Sequence, residues 1–144
     1  VMDTYSFGYS SSGFTDMPMN HKIFLAQFDA IKKLASEGPC VMVGRCADYA
    51  LSEYKDCFSV FVHADIDWRI NRLSQKHNKT AKEAKDMINK TDKSRSSYYN
   101  YYTNKKWGAA SSYNLCVDSS KLGIDGAAKA IIQAIEIFDS IKNK

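Results

Sequence analysis

Three short apolar runs, separated by segments with helical periodicity, constrain the fold of this chain more than any other feature. The runs cover residues 40–43, 58–62 and 113–117, and each is followed within three residues by glycine or aspartate. Continuous apolar runs of this length are typical of strands that are buried on both faces. Strands that alternate with helices predict an α/β fold built on a parallel sheet.

Helix start signals lie between these runs. Asn20 is the predicted N-cap of a first helix, and Asp65 is the predicted cap of a helix after the second run. Residues 80–83 form a capping box, with Thr at the cap and Glu three residues later, and open a long helix that reaches residues 98–102. A last helix begins at about Asp125. Residues 1–19 show no clean period and are predicted to be loop or short helix, and residues 104–112 are predicted to be a loop.

Composition limits the class of protein. The chain has 144 residues, 44% of them hydrophobic and 25% charged, which predicts a single globular domain over 1–144 and excludes a disordered or fibrous chain. No apolar stretch approaches the ~20 residues that a bilayer span needs, so no membrane partner is expected. The N-terminus lacks a signal-peptide pattern, and the four cysteines lack metal-ligand spacing, so we expect reduced cysteines in a cytoplasmic protein.

Basic residues are concentrated in the middle of the chain. Residues 69–106 contain eleven Lys or Arg and three Asp or Glu, a net charge of +8, whereas the rest of the chain carries −4. Such a segment suits partners that carry phosphate, either nucleotides or nucleic acid. A solvated, lysine-rich helix face would give the same composition.

Ligands of open parallel sheets bind beyond the carboxyl ends of the strands. That rule selects three points of this sequence, namely 44–45, 63–65 and 118–119. Arg45 follows a predicted strand and a glycine, where a guanidinium group can grip a phosphate or form a structural ion pair with a neighbouring helix.

Two pairs of charged residues lie at a spacing of three on predicted helices. Arg69 and Arg72 share one helix face, and Asp92 and Arg95 share another. Together they could clamp a polyphosphate, or they could be surface ion pairs of little energetic value. The aromatic block at 98–102, followed by Lys-Lys-Trp at 105–107, could stack bases, but packing against the core is the favoured interpretation.

Four segments carry a resemblance to a known family: Gly-Pro-Cys-Val-Met-Val-Gly-Arg-Cys-Ala-Asp-Tyr at 38–49, Asp-Lys-Ser-Arg-Ser-Ser-Tyr-Tyr-Asn-Tyr-Tyr-Thr at 92–103, Lys-Lys-Trp-Gly at 105–108 and Leu-Cys-Val-Asp-Ser-Ser at 115–120. From about residue 20 onward the chain resembles the cytidylate kinase-like family of P-loop nucleoside monophosphate kinases. The resemblance implies a three-layer α/β/α fold with a parallel sheet. It also implies phosphoryl transfer from ATP, with Mg²⁺, to CMP or a related pyrimidine monophosphate.

The resemblance also implies roles for individual residues. Arg69, Arg72 and Arg95 would be catalytic, and the last of them lies in a lid-like helical segment at 79–104. The substrate-binding residues would be Arg45, Asp48 and Asp92, and no metal ligand is implied. Asp118 and Ser119 would lie near the ATP donor. The family has Asp after the arginine that corresponds to Arg45, whereas this chain has Cys46.

One family motif is missing. P-loop kinases begin with a strand and a Gly-x-x-x-x-Gly-Lys-[Ser/Thr] loop that cradles the donor phosphates, and this sequence contains no Gly-Lys dipeptide. Either the loop is encoded upstream of Val1 or it has been lost, and we expect the first. In that case an additional strand fills the sheet between 40–43 and 58–62. The 144 residues alone are expected to be inactive as a kinase.

Two other functions fit the same residues. The basic segment 69–106 could belong to a non-catalytic nucleotide- or nucleic-acid-binding module, or the chain could be a structural fragment without a ligand. We favour a nucleoside monophosphate and ATP as partners over nucleic acid.

Overall fold

A computed structural model describes the backbone of residues 17–142 and the side chains of residues 19–142. The chain divides into two compact units, with the boundary between Ala50 and Leu51. Residues 1–16, part of the segment predicted to be loop or short helix, lie outside the described part of the chain.

The first unit contains a long helix, α1 (Met17–Glu37), and a short one, α2 (Ala47–Ala50). The predicted apolar stripe of α1 is confirmed, since Phe24 and Ile31 are both buried. The predicted start at Asn20 is wrong. The helix already includes Met17, three residues before Asn20.

The predicted strand at 40–43 is also wrong. These residues have no regular structure, and the side chains of Val41 and Val43 are 95% and 90% exposed. An apolar run forms a strand only when a neighbouring strand accepts its backbone hydrogen bonds. The four residues have no such neighbour in the described part of the chain.

A left-handed turn follows this segment. Gly44, Arg45 and Cys46 have φ values of 70°, 55° and 55°. The Ala47 amide donates to the Gly44 carbonyl at 3.1 Å, which closes a turn with both central residues at positive φ. Only glycine adopts this conformation without steric cost, so the backbone of Arg45 and Cys46 is strained.

The second unit is built on two parallel strands, β1 (Val60–His63) and β2 (Leu115–Asp118). Both predicted strands are confirmed, shifted toward the C-terminus by one or two residues. Asn114 fixes the start of the pairing, because its Oδ1 accepts from the Ser59 amide at 2.8 Å while its own amide donates to the Ser59 carbonyl at 2.9 Å. The register pairs His63 with Asp118, so both strands end at the same level.

Helices α3 (Ile66–His77) and α4 (Ala81–Thr103) pack against each other after β1. Asp65 caps α3 as predicted, accepting from two amides of its first turn. The predicted capping box of α4 is present in full. Ala84 and Ile88 are buried on α4, which places part of the core of this unit there.

The last helix, α5 (Ser119–Lys142), covers the sheet and begins earlier than predicted. It starts directly after β2, where the Asp118 carboxylate accepts from the Ser120 amide at 2.9 Å. Gly123, with φ 69° and ψ 171°, then interrupts the helix before the predicted start at Asp125. The predicted loop at 104–112 contains one 3₁₀ turn, Ala110–Ser112.

The described chain is therefore mostly helical, with a small parallel sheet, and the predicted α/β class is confirmed at that level. The three-layer arrangement of P-loop kinases, the additional strand, the single domain over 1–144 and the lid at 79–104 stay predictions. In the part of the chain described here, no helix combines the length and apolarity that a membrane crossing requires.

Candidate functional site

A cavity of about 550 Å³ lies at the carboxyl end of β1 in the second unit. It is enclosed by the end of the strand, the facing sides of α3 and α4, the loop before β2 and the start of α5. The side chains that line it and carry its chemistry are His63, Trp68, Arg69, Arg72, Asp92, Arg95, Trp107 and Ser119. Five of the eight site residues predicted from the resemblance therefore line the same cavity, namely Arg69, Arg72, Asp92, Arg95 and Ser119.

Asp92 on α4 binds the guanidinium group of Arg69 on α3 in a bidentate pair. Arg69 Nη1 donates to Asp92 Oδ2 at 2.7 Å, and Nη2 donates to Oδ1 at 2.9 Å. The Arg69 and Asp92 side chains are 29% and 24% exposed, so water screens this pair only in part. The two parallel hydrogen bonds fix the plane of the guanidinium group and its position in the cavity.

Arg95 is held from two directions. Its Nη2 also donates to Asp92 Oδ1, and its guanidinium carbon lies 5.2 Å from the centre of the Trp107 ring. A cation at that distance from an indole face is attracted by the negative face of the ring. Asp92 therefore joins two arginines, one from α3 and one from its own helix.

Arg72 has a different environment. Its guanidinium carbon lies 5.5 Å from the centre of the Trp68 ring on the same helix. Among the described residues, no carboxylate forms a salt bridge with it. Arg72 also lines a second, more apolar cavity of about 340 Å³ beside the first. Its charge is therefore available to an anion that enters either cavity.

The ionisation of Asp92 follows from this geometry. Partial burial by itself would raise the pKa of Asp92, but the hydrogen bonds and charges of Arg69 and Arg95 outweigh it and hold the pKa below its ordinary value. Asp92 is therefore an anion at neutral pH. Three arginines and one aspartate leave the cavity lining with a net charge of +2 from these four groups.

The chemistry of the lining fits a phosphate group. Guanidinium groups donate in-plane pairs of hydrogen bonds that match phosphate oxygens, and they stay charged at every physiological pH. The rings of Phe61 and the two indoles lower the local dielectric constant on one side of these groups, which strengthens such contacts. The cavity thus has the charge and the donors for an anion with more than one negative charge.

The described cavity offers no free carboxylate to the Mg²⁺ ion that the resemblance implies. Magnesium takes oxygen ligands, usually one or two carboxylates together with substrate phosphates. Asp92, the only carboxylate that lines the described cavity, already binds two arginines. No group of three or more His, Cys, Asp or Glu side chains within the described residues could hold a metal ion.

Ser119 lines the cavity and Asp118 lies beside it. Ser119 Oγ donates to the His63 carbonyl at 3.0 Å, which joins the end of β2 to the end of β1. The hydroxyl and amide of Ser120 both donate to Asp118, and the hydroxyl bond contributes most to the lowered pKa of Asp118. The predicted donor-side role of both residues stays a prediction.

Arg45 and Asp48 belong to the first unit. Arg45 is exposed in the left-handed turn, and Asp48 lies in the first turn of α2. Their predicted roles in binding the acceptor, and the convergence of Arg45 with the other arginines, stay predictions.

Sequence analysis placed neither tryptophan of the cavity in the candidate site. Trp68 stands next to Arg69 in the sequence, but a single aromatic residue on an amphipathic helix gives no functional signal. Trp107 was identified only as part of an aromatic and basic block. The packing interpretation of that block is confirmed for Tyr99, which is buried and stacks on Tyr113. Trp107 also packs against Phe61, and in addition its ring faces Arg95.

Comparisons with known proteins give one family. The profile of the cytidylate kinase-like family matches residues 1–121, so the match starts earlier than the resemblance in the sequence and ends near the start of α5. Among solved structures, an uncharacterized protein from Eubacterium ventriosum ATCC 27560 is 34% identical with a TM-score of 0.78. The alignment covers 81% of this chain and 74% of that one. No curated protein matches the chain. The match over most of its length shows that the chain belongs to the cytidylate kinase-like family.

Proposed function

We propose that this protein takes part in the phosphorylation of a nucleoside monophosphate, with CMP or a related pyrimidine monophosphate as acceptor and ATP with Mg²⁺ as donor. Membership of the family supports kinase-like chemistry and nucleotide binding in general. The substrate and the donor are inferred from the resemblance and from the chemistry of the cavity.

One observation carries the proposal. Three arginines from two neighbouring helices converge on one cavity at the carboxyl end of a parallel strand. This is the position where ligands of such sheets bind, and the arginines match a phosphate chain in charge and donor geometry. Lysines on an exposed helix face would not converge in this way, so the cavity favours a small nucleotide over nucleic acid.

The chemistry expected of the protein is mainly electrostatic. ATP supplies the phosphoryl group, and little covalent work is left to the protein. Arg69, Arg72 and Arg95 would neutralise the negative charge that spreads over the phosphoryl oxygens during transfer. Asp92 would keep two of these arginines in place before the nucleotide arrives.

Arg45 would bind the acceptor phosphate, with Asp48 near the nucleoside. The donor phosphates would require a glycine-rich loop with a lysine, a motif that the 144 residues do not contain. We therefore expect nucleotide binding from these residues and phosphoryl transfer only when such a loop is supplied.

Nucleotide binding can be measured without a label. The sequence contains two tryptophans, Trp68 and Trp107, and both line the cavity. Titration with CMP, CDP or ATP should therefore change the tryptophan fluorescence. Arg72→Ala should weaken binding roughly tenfold to a hundredfold, since a charge-assisted hydrogen bond is worth about 1.5–3 kcal/mol. Lys82→Ala, at an exposed position of α4 outside the cavity lining, is the matched control.

Two results would contradict the proposal. Equal losses in Arg72→Ala and Lys82→Ala would mean that bulk charge binds the nucleotide instead of the cavity. Tighter binding of a single-stranded oligonucleotide than of any mononucleotide, with a steep dependence on salt, would favour the nucleic-acid-binding module.

A further inference from the structure

Trp107 is fixed in place by contacts with two elements of the second unit, α4 and β1. Its backbone amide donates to Asn100 Oδ1 on α4 at 2.7 Å. Its ring meets Phe61 of β1 edge to face, with the ring centres 5.2 Å apart at 89°. Phe61 in turn lies 4.9 Å from the ring of Tyr113, just before β2. The indole is therefore tied to the sheet as well as to the helix.

The loop that carries Trp107 approaches the sheet unusually closely. Gly108 has a φ of 76°, and a Cβ added to it would lie 3.2 Å from Phe61 Cζ. A larger residue would have to displace the Phe61 ring and would be strained by its backbone conformation. The chain thus uses a glycine here to bring the neighbouring indole against β1.

Arg95 is held by fewer hydrogen bonds than Arg69, so a contact with an aromatic ring matters more for its position. Arg69 is held by two parallel hydrogen bonds, whereas Arg95 makes one and its side chain is 55% exposed. An exposed arginine with one contact samples many rotamers, and ordering it costs free energy. An indole against one face of the guanidinium group reduces that freedom and leaves the N–H groups on its edge free to donate.

We propose that Trp107 is a positioning residue for the phosphate site: through its cation–π contact with Arg95 and its edge-to-face contact with Phe61, it holds the α4 guanidinium group at the cavity. The assignment of Arg95 to a phosphate rests on the proposed function. The contact of Trp107 with Arg95, and its effect on the pKa of Asp92, do not depend on the proposed function. A simple packing role would require only a ring against Phe61.

The first test needs no ligand. The pKa of the Asp92 carboxyl group is measured by NMR titration in the full chain, in Trp107→Leu and in Arg95→Ala. If Trp107 holds Arg95 beside Asp92, Trp107→Leu raises the pKa of Asp92 part of the way toward its value in Arg95→Ala. Trp68→Leu removes the equivalent stack from Arg72, which does not contact Asp92, and should leave this pKa unchanged.

Trp107→Phe is a more conservative variant, which keeps the test valid if Trp107→Leu does not fold. It keeps a ring against Phe61 but offers a weaker face to the cation, so the pKa of Asp92 should lie between those of the wild type and Trp107→Leu. A pKa of Asp92 that stays at the wild-type value in both folded variants would overturn the proposal.

The second test uses inorganic pyrophosphate and calorimetry. Trp107→Leu should weaken its binding roughly threefold to tenfold, in line with one cation–π contact. In an Arg95→Ala background the same substitution should have no further effect, because the contact is already absent. Equal losses in both backgrounds would show that Trp107 acts through packing and not through Arg95. If the wild type fails to bind pyrophosphate, the proposed function is wrong, and the Asp92 titration still decides the role of Trp107.

Discussion

Arg69 and Asp92 are 23 residues apart in the sequence, yet two parallel hydrogen bonds of 2.7 and 2.9 Å join them across the interface of α3 and α4. The pair forms one wall of the cavity, and Arg95 extends it through the same carboxylate. Asp92 therefore contributes both to the stability of this interface and to the charge of the cavity.

Acid should weaken the fold through Asp92. Its pKa is held below the ordinary 3.8 in the folded state, so the unfolded chain takes up a proton first as the pH falls. The stabilisation is complete above pH 5, begins to fall near 3.8 and is lost below the folded pKa. At pH 7, Asp92→Asn should lower the free energy of unfolding by about 1–2 kcal/mol, between the values for exposed and buried ion pairs.

Urea unfolding at several pH values would check this. The gap between the wild type and Asp92→Asn should close as the pH falls below 4. Asp86→Asn, at an exposed position of the same helix, should show a much smaller gap at every pH. A gap that stays constant from pH 7 to pH 3 would show that the carboxylate charge does not contribute.

The left-handed turn at Arg45 gives a second prediction. Because Arg45 has a φ of 55° and is exposed, Arg45→Gly should relieve strain without a loss of packing. It should be about 1 kcal/mol more stable than Arg45→Ala, which keeps a Cβ in the same conformation. Thermal unfolding would measure the difference. At Lys55, which is exposed and has no positive φ, alanine should be at least as stable as glycine.

Cys46 should resist modification. Burial, reinforced by the charge of Asp48 and opposed by that of Arg45, raises the pKa of the Cys46 thiol from 9.0 to about 11. At pH 8 in the folded protein, iodoacetamide should modify exposed Cys40 well before Cys46, because the thiolate is the reactive form. Peptide mass spectrometry would follow both sites. Equal rates at pH 8 would contradict the burial of Cys46, and equal rates in urea serve as the control.

The contribution of the α4 N-cap to the free energy of unfolding should be measurable with single substitutions. Thr80 Oγ1 accepts from the Glu83 amide at 3.2 Å, while the Glu83 carboxylate accepts from the Thr80 amide and hydroxyl, both at 2.8 Å. Thr80→Ala should therefore destabilise the protein by about 1 kcal/mol. Thr80→Ser keeps the hydroxyl and should retain most of the stability in chemical denaturation. Equal losses in both variants would point to the lost methyl group instead of the cap.

Local signals predicted much of the second unit. The caps at Asp65 and Thr80 depend only on residues three or fewer positions away, and both are present. The parallel pairing of β1 with β2 also follows from the order of strands and helices. The strand at 40–43 could not be judged in the same way, because its formation depends on a partner that no local pattern specifies.

The sequence identified several residues of the site but not the contacts between them. The sequence placed Arg69, Asp92 and Arg95 on helix faces, but only the packing of α3 on α4 turns them into a three-membered network. The stacking of Trp107 on Arg95 joins a loop to a helix twelve residues away and depends on the Gly108 turn. Helical periodicity contains no information about such a contact.

The sheet also has a consequence for the order in which the molecule folds. Every residue of β1 pairs with a residue 55 positions later, as Ser59 does with Asn114, so the sheet forms only when a long loop closes. Loop closure must be completed before these contacts contribute any stability, whereas α3 and α4 form a local helical hairpin. Refolding should therefore show helical structure first and the tertiary signal of Trp107 against Phe61 last, so that the cavity is among the final features to assemble.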